Sequence, residues 1–224
     1  MESVLWYVVP LGVAMAFSIL PILAAVILLL SPRPVPVSVA YLSGWTIGVF
    51  VLVTLFTLIA RLVPAGVSDR MPTWVHIVEM ALGALLVLWG LVALLRSRRG
   101  DQSATSPSWT RMLNGIQPWR SFGFGLVMNV RPKNLTLVLA AGLAIGTASL
   151  PVGSATLAIV IFTIVGISTV GALVLAYLFG DGSVRPLLER LSGWLVSHSS
   201  TVLWVSMMFV GLILIVLAIV HLNS

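Results

Sequence analysis

MNVRPKNLTLVLAAG (128–142) places two cations, Arg131 and Lys133, on either side of Pro132, and flanks them with Asn129 and Asn134 inside an apolar run. On an unbroken helix two residues that far apart would point about 200° away from each other. One of them would then face the surroundings of the helix, at roughly 2.5–3.5 kcal/mol if those surroundings are lipid. Proline lacks a backbone N–H and pushes its preceding residue away from helical angles. A helix broken at Pro132 is therefore predicted, with both cationic heads free to turn into one cavity.

The rest of the chain says what surrounds it. Of 224 residues, 59% are hydrophobic and 8% charged, against about 25% charged in soluble domains. So little charge does not cover a globule in water, and the expected solvent is lipid. Cysteine is absent, which excludes disulfide scaffolds, thiolate metal sites and thiol redox chemistry. The net charge of +6 comes mostly from arginines clustered between apolar runs, the pattern of cytoplasmic loops rather than of a nucleic-acid groove. No basic n-region precedes the first apolar run and no small-residue cleavage site follows it, so that segment is expected to stay in the mature protein.

Six apolar segments stand out, at about 4–30, 36–60, 74–95, 121–147, 155–179 and 201–221. Each reaches the ~20 residues that a helix needs to cross a bilayer core. None alternates apolar and polar residues as barrel strands do. The loops after segments one, three and five hold Arg33, Arg96, Arg98, Arg99, Arg111, Arg120, Arg185 and Arg190; the other side holds only Arg61 and Arg70. Eight against two puts both termini on the extracytoplasmic side of the plasma membrane by the positive-inside rule.

Three segments per half is an odd number, so the halves enter the membrane in opposite senses, as in inverted repeats. The expected fold is an all-α integral membrane protein of six helices. Residues 1–100 form the first three-helix repeat, 101–119 a cytoplasmic linker with an interfacial stretch at Trp109 and Trp119, and 120–224 the second repeat. Setting Pro21 against Pro132 aligns AFSILPILAAVILLL with LVMNVRPKNLTLVLA, with Ser18 opposite Asn129. By the helical rise Pro132 lies about 18 Å past Arg120, and Pro21 about 17 Å before Pro32, so both fall near the midplane. Helices one and four are then broken there, and half-helices 21–30 and 132–147 start with proline at their first position. Their free N–H groups and positive ends face one central region. A plain proline kink, common in membrane helices, also accounts for Pro21 taken alone.

Two cations, free amides and two carboxamides suit an anion. Arg131 grips phosphate, sulfate or carboxylate with two parallel bonds, while Lys133 acts as a point charge. Asn129 and Asn134 offer hydrogen bonds to sugar hydroxyls or to unwound backbone. Snorkelling to headgroups is the other reading of the cations, but about 18 Å is too far for either side chain without local thinning.

The nearest carboxylate by pattern is Glu79 in PTWVHIVEMALG, with His76 one turn earlier. The two read as a proton-coupling pair, as a salt-bridge partner for Arg131 or Lys133, or as an interfacial pair that merely reaches water. Gly83, Gly90, Gly166, Gly171 and Gly211 suit close helix approach. Asp181, Glu189 and Arg190 read as a solvated loop. No Ser–His–Asp order, paired catalytic carboxylates, metal-ligand cluster or phosphate loop occurs. No enzyme, no metal and no cofactor is expected.

AFSILPILAAVILLLSPRP followed by YLSGWTIGVF, together with MNVRPKNLTLVLAAGLAIG, resembles the GAP family, the glycolipid-addressing (Sap-type) membrane proteins of actinobacteria within the lysine-exporter superfamily. The resemblance covers most of the chain and is most specific at Pro132, Lys133 and Asn134, with Pro21 as their first-half partner. It implies transport, or help in transport, of envelope glycolipids or their precursors. Related thiol–disulfide electron carriers place cysteines before the equivalent prolines. Here Leu20 and Arg131 stand there, which excludes electron transfer.

The expected function is a secondary transporter or flippase for an anionic envelope lipid. The head would be held by Arg131, Lys133, Asn129, Asn134 and Ser18 around Pro132 and Pro21, with a proton coupled through Glu79 and His76. Export of a small amino acid or metabolite is one alternative. A non-transporting accessory subunit of a larger lipid exporter is another. Membrane lipids, and a second copy in a homo-oligomer, complete the expected partners; nucleic acid is not among them.

Overall fold

A computed structural model describes residues 1–62, 73–98, 116–180 and 184–222, and among these every regular element is a helix. In chain order they are α1 (Glu2–Ala16), α2 (Ile19–Leu29), α3 (Pro34–Leu62), α4 (Thr73–Arg98), α5 (Pro118–Met128), α6 (Pro132–Thr147), α7 (Val152–Phe179), α8 (Val184–Ser197) and α9 (Ser199–Leu222). The linker carrying Trp109 and Arg111, with Arg70 and Asp181, lies outside the described residues.

Prolines set many of the helix starts. Pro34 opens α3, Pro118 opens α5, Pro132 opens α6, and Pro151 caps α7. At a first turn the missing N–H costs nothing, because that donor has no intrahelical acceptor anyway. Pro10 behaves differently: it sits inside α1 without ending it. The first-half break lies earlier than expected. Helix α1 ends at Ala16 and α2 starts at Ile19, so Pro21 occupies the third position of α2 rather than the first. Proline at 21 deprives the Phe17 carbonyl of its donor, so the disturbance falls one turn upstream.

Among the described residues, α3 and α7 are each long and apolar enough to cross a membrane. Val4–Ala16 and Ile19–Leu29 pass the same test together, as a pair bent by 48°. The apolar parts of α4 and α9, Met80–Leu95 and Trp204–Ile213, are shorter. These helices are compatible with a membrane protein. Large apolar side chains such as Leu58, Leu88, Ile164 and Phe209 are exposed on their outer faces.

The core forms around α3. Val37, Tyr41, Trp45, Val49 and Val53 recur every four residues along one face and are buried, the spacing of a helix stripe. That face packs on α5 and α6, α1 packs on α7, and α4 packs on α9. Glycines permit the approach: a Cβ on Gly125 would strike the backbone of α3 at Tyr41 and Trp45, and one on Gly142 would strike Phe56. Without a hydrophobic force between helices in lipid, such backbone proximity supplies the packing energy. Gly171, expected at such a contact, faces open space.

The stretch between the fifth and sixth apolar segments is not a loop. Val184–Ser197 is helical, with Leu188 and Leu195 buried on one face and Leu187 and Trp194 exposed on the other. Leu188, Leu191 and Leu195 repeat at helical spacing and dock α8 on α2 and α7. Glu189 and Arg190 belong to this helix, and Glu189 pairs with Arg185 one turn away at 3.4 Å, both exposed.

Candidate functional site

In a continuous helix the Met128 carbonyl would accept a bond from the N–H of residue 132, which proline lacks. Asn134 supplies the replacement, its Nδ2 donating to the Met128 oxygen at 3.1 Å. Arg131, in extended conformation at φ −65° and ψ 143°, carries the chain from α5 into α6. The Oδ1 of the same Asn134 accepts a bond from Ser18 Oγ at 2.7 Å. Ser18 is itself extended, at φ −80° and ψ 106°, just before α2. One buried carboxamide thus closes the gap in its own half and ties it to the gap in the other half, 116 residues away.

The first-half gap has its own supports. Thr169 of α7 donates its hydroxyl to the Ala16 carbonyl, and Tyr41 of α3 donates to the Pro21 carbonyl at 3.2 Å. The Ala16 carbonyl at the end of α1 is therefore served by a neighbouring helix, as a buried backbone group requires, and the Tyr41 bond ties α3 to the start of α2. Replacing Asn134 with leucine, of similar volume, should leave both Met128 and Ser18 unserved. At about 1–3 kcal/mol per stranded group, the unfolding midpoint in detergent should fall clearly further than for Ser18→Ala. An Asn134→Leu protein as stable as its parent would show that this carboxamide does not hold the two gaps together.

A cavity of about 210 Å³ lies where these segments meet. Ser18 to Pro21 of α2 and Arg131 to Asn134 of α6 form one side, and Trp89 of α4 with Ser206 and Met207 of α9 the other. Six of the residues expected from sequence come together here: Ser18, Pro21, Arg131, Pro132, Lys133 and Asn134. Asn129 does not. It is fully buried against α3, donating to the carbonyls of Gly125 at 3.1 Å and Trp45 at 3.3 Å, with Gly48 leaving room for its amide. Its place is a helix contact. His76 and Glu79 fall on α4, but their side chains lie outside the described residues.

The electrostatics of the cavity are one-sided. Lys133 is 7% exposed, and among the described residues no hydrogen bond or ion pair answers its ammonium. Among the described residues, none that lines the cavity is acidic. Arg131 is more open to its surroundings than Lys133. The first-turn N–H groups of α2 and α6 have no intrahelical acceptor, and each helix start carries roughly half a positive charge. Two such starts, with an ammonium that has no partner among the described residues, have the chemistry to receive an anion. Among the described residues no three His, Cys, Asp or Glu side chains are grouped to hold a metal.

Trp89, Ser206 and Met207 were not singled out by sequence. Ser206 interrupts the apolar run WVSMMFV, a weak local signal; Trp89 and Met207 carry none, because only the packing of distant helices brings them here. A family model described as Sap, sulfolipid-1-addressing protein, matches residues 8–220. No curated protein and no solved structure matches the chain.

Proposed function

The chain belongs to the Sap, sulfolipid-1-addressing protein family, and from that premise we propose that it moves an anionic envelope lipid, or its precursor, across the plasma membrane. The observation that carries this reading is Lys133, buried with no anionic partner among the described residues, at a cavity onto which two helix starts converge. A sulfate ester, as the family's description suggests, fits that chemistry. It stays anionic at any physiological pH and offers three acceptor oxygens to ammonium, guanidinium and backbone N–H donors. Leaving an ammonium unpaired in a buried place is costly, and a ligand whose charge completes the site recovers that cost.

In this reading the six apolar segments cross the membrane as two inverted three-helix repeats, within the lysine-exporter superfamily. Both termini are extracytoplasmic, and the two gaps lie at midplane. The helix order supports it: α1 with α2 and α5 with α6 are interrupted pairs, each followed by a long helix, α3 or α7. Discontinuous helices whose starts face an anionic group are a recurrent device of secondary transporters. Glu79, with His76, is the proposed proton-coupling pair.

The test is reconstitution of the purified protein in phosphatidylethanolamine–phosphatidylglycerol vesicles with a fluorescent sulfated galactosylceramide. Its unsulfated parent serves as the neutral control. Protein-dependent transbilayer movement of the sulfated lipid, at least tenfold faster than the neutral one, is expected. Equal rates for the two would remove the anion site from the function. No movement of either would point to an accessory role beside another exporter.

A further inference from the structure

Close glycine contacts bind the helices in three sets. The packing of α3 on α7 and of α1 on α6 joins two of these into one body, to which α2 belongs through its packing on α3 and α7. Added Cβ atoms on Gly44 and Gly125 would run into backbone between α3 and α5, and those on Gly142 and Gly146 into α3 from α6. Gly12 against Val165, and Gly166 against Met15, let α1 pack on α7 through side chains. The second body is the pair α4 and α9. Gly90 lies against Met208 and the Trp204 carbonyl, and Gly211 against the Gly83 carbonyl and Val87. None of these glycines reaches from one body to the other. Helices whose backbones touch have little freedom to slide, whereas a seam of larger side chains can repack.

The cavity lies on that seam. Its α2 and α6 walls belong to the first body, and Trp89, Ser206 and Met207 to the second. At about 210 Å³ it falls below the ~300–1,000 Å³ of sites that enclose a whole drug-sized ligand. A head group fits; acyl chains do not. Along the seam Ile19, Leu20, Trp89 and Met207 are apolar, and Ser206 is the one polar side chain among the described α4 and α9 residues that line the cavity, while the buried Lys133 lies at the α6 wall.

We propose that the α4/α9 pair is the moving wall of the cavity, and that its seam with α2 and α6 is the slot through which the acyl chains of an anionic lipid trail in the bilayer while the head is held at Lys133. This rests on the head-group reading above and adds the route and the moving part. The wall swings as a unit because its two helices are locked to each other. The slot is mostly apolar because it passes acyl chain, and the charged surface of the cavity among the described residues stays on the α6 side, at the head.

The chain has no cysteine, so a pair introduced as Leu20→Cys and Met207→Cys reports on the seam alone. In sulfated galactosylceramide vesicles, joining the two thiols by oxidation should slow transbilayer movement at least tenfold relative to the same protein after reduction. A bis-maleimide serves where the thiols lie too far apart to oxidise, with the same protein capped by N-ethylmaleimide as its unjoined reference. Unchanged movement in the joined protein overturns the route. If that movement is also abolished by Lys133→Met in the cysteine-free protein, the head-group site stands and only the moving wall falls. Should Lys133→Met leave the cysteine-free protein's movement intact, the head-group reading fails and takes the route with it.

Discussion

Replacing Lys133 with methionine is expected to slow movement of a sulfated lipid by about 10- to 150-fold, while the protein unfolds at the same temperature as its parent or higher. The first half follows from the loss of one charge-assisted contact to the ligand, worth about 1.5–3 kcal/mol, at about 1.4 kcal/mol per factor of ten. The second follows from what Lys133 lacks. With no partner among the described residues, its removal strands nothing and relieves the cost of a buried charge. Activity and stability should thus move in opposite directions, as they do where a binding group is held at the expense of the fold. Lys133→Arg should recover part of the rate, since charge is kept and shape is not. Arg131→Ala, at the more exposed position, should cost less than Lys133→Met. Vesicle assays beside thermal unfolding in detergent check all three, and a Lys133→Met protein that is both fully active and less stable would mean the side chain serves structure instead.

The largest effect on stability should come from Gly125→Leu. A Cβ there would lie 2.8 Å from the Trp45 amide nitrogen and 3.1 Å from the Gly44 carbonyl carbon, besides the Tyr41 carbonyl oxygen. Those atoms are backbone and have no rotamer by which to yield, so α5 would have to withdraw from α3. Overpacking of this sort costs about 1–3 kcal/mol, occasionally more. At roughly 2–4 °C per kcal/mol for a chain of this size, the unfolding midpoint should drop by several degrees or the protein should fail to assemble. Gly123, two residues earlier in the same helix, gives the control: a Cβ there meets nothing within 4 Å, and Gly123→Leu should be close to neutral. Equal losses from both would place the cost in the glycine content of α5 rather than in its approach to α3.

Local chemistry explains what could be read from sequence. Pro132 between two cations announced an interrupted helix, because a missing donor and a steric rule act within four residues. Lys133, Asn134 and Ser18 stand out for the same reason, each a polar group inside an apolar run, and the structure brings all three to one cavity. Asn129 looked equivalent to Asn134, yet it turns to Trp45 and Gly125 while Asn134 turns to Ser18. Nothing in five residues of local sequence distinguishes them, since the choice depends on which neighbour leaves room, and that room is made at Gly48. Helix α8 was hidden by its charges, which read as loop although its leucines repeat at helical spacing. The glycines that matter most, Gly44, Gly125 and Gly142, were passed over in favour of others such as Gly171. Close approach is a property of two helices, and one sequence window holds only one of them.

The crossing of α3 onto α5 and α6, and of α1 onto α7, bears on how the chain is made. When the ribosome has delivered the first hundred residues, Tyr41, Trp45 and Val49 have been synthesised but the surface that covers them has not. The nascent first half must wait in the bilayer with that stripe shielded by lipid or by an insertion chaperone until residues 118–147 emerge. Two fragments divided within 99–115 and produced together should therefore reunite into one assembly, whereas either produced by itself should be degraded.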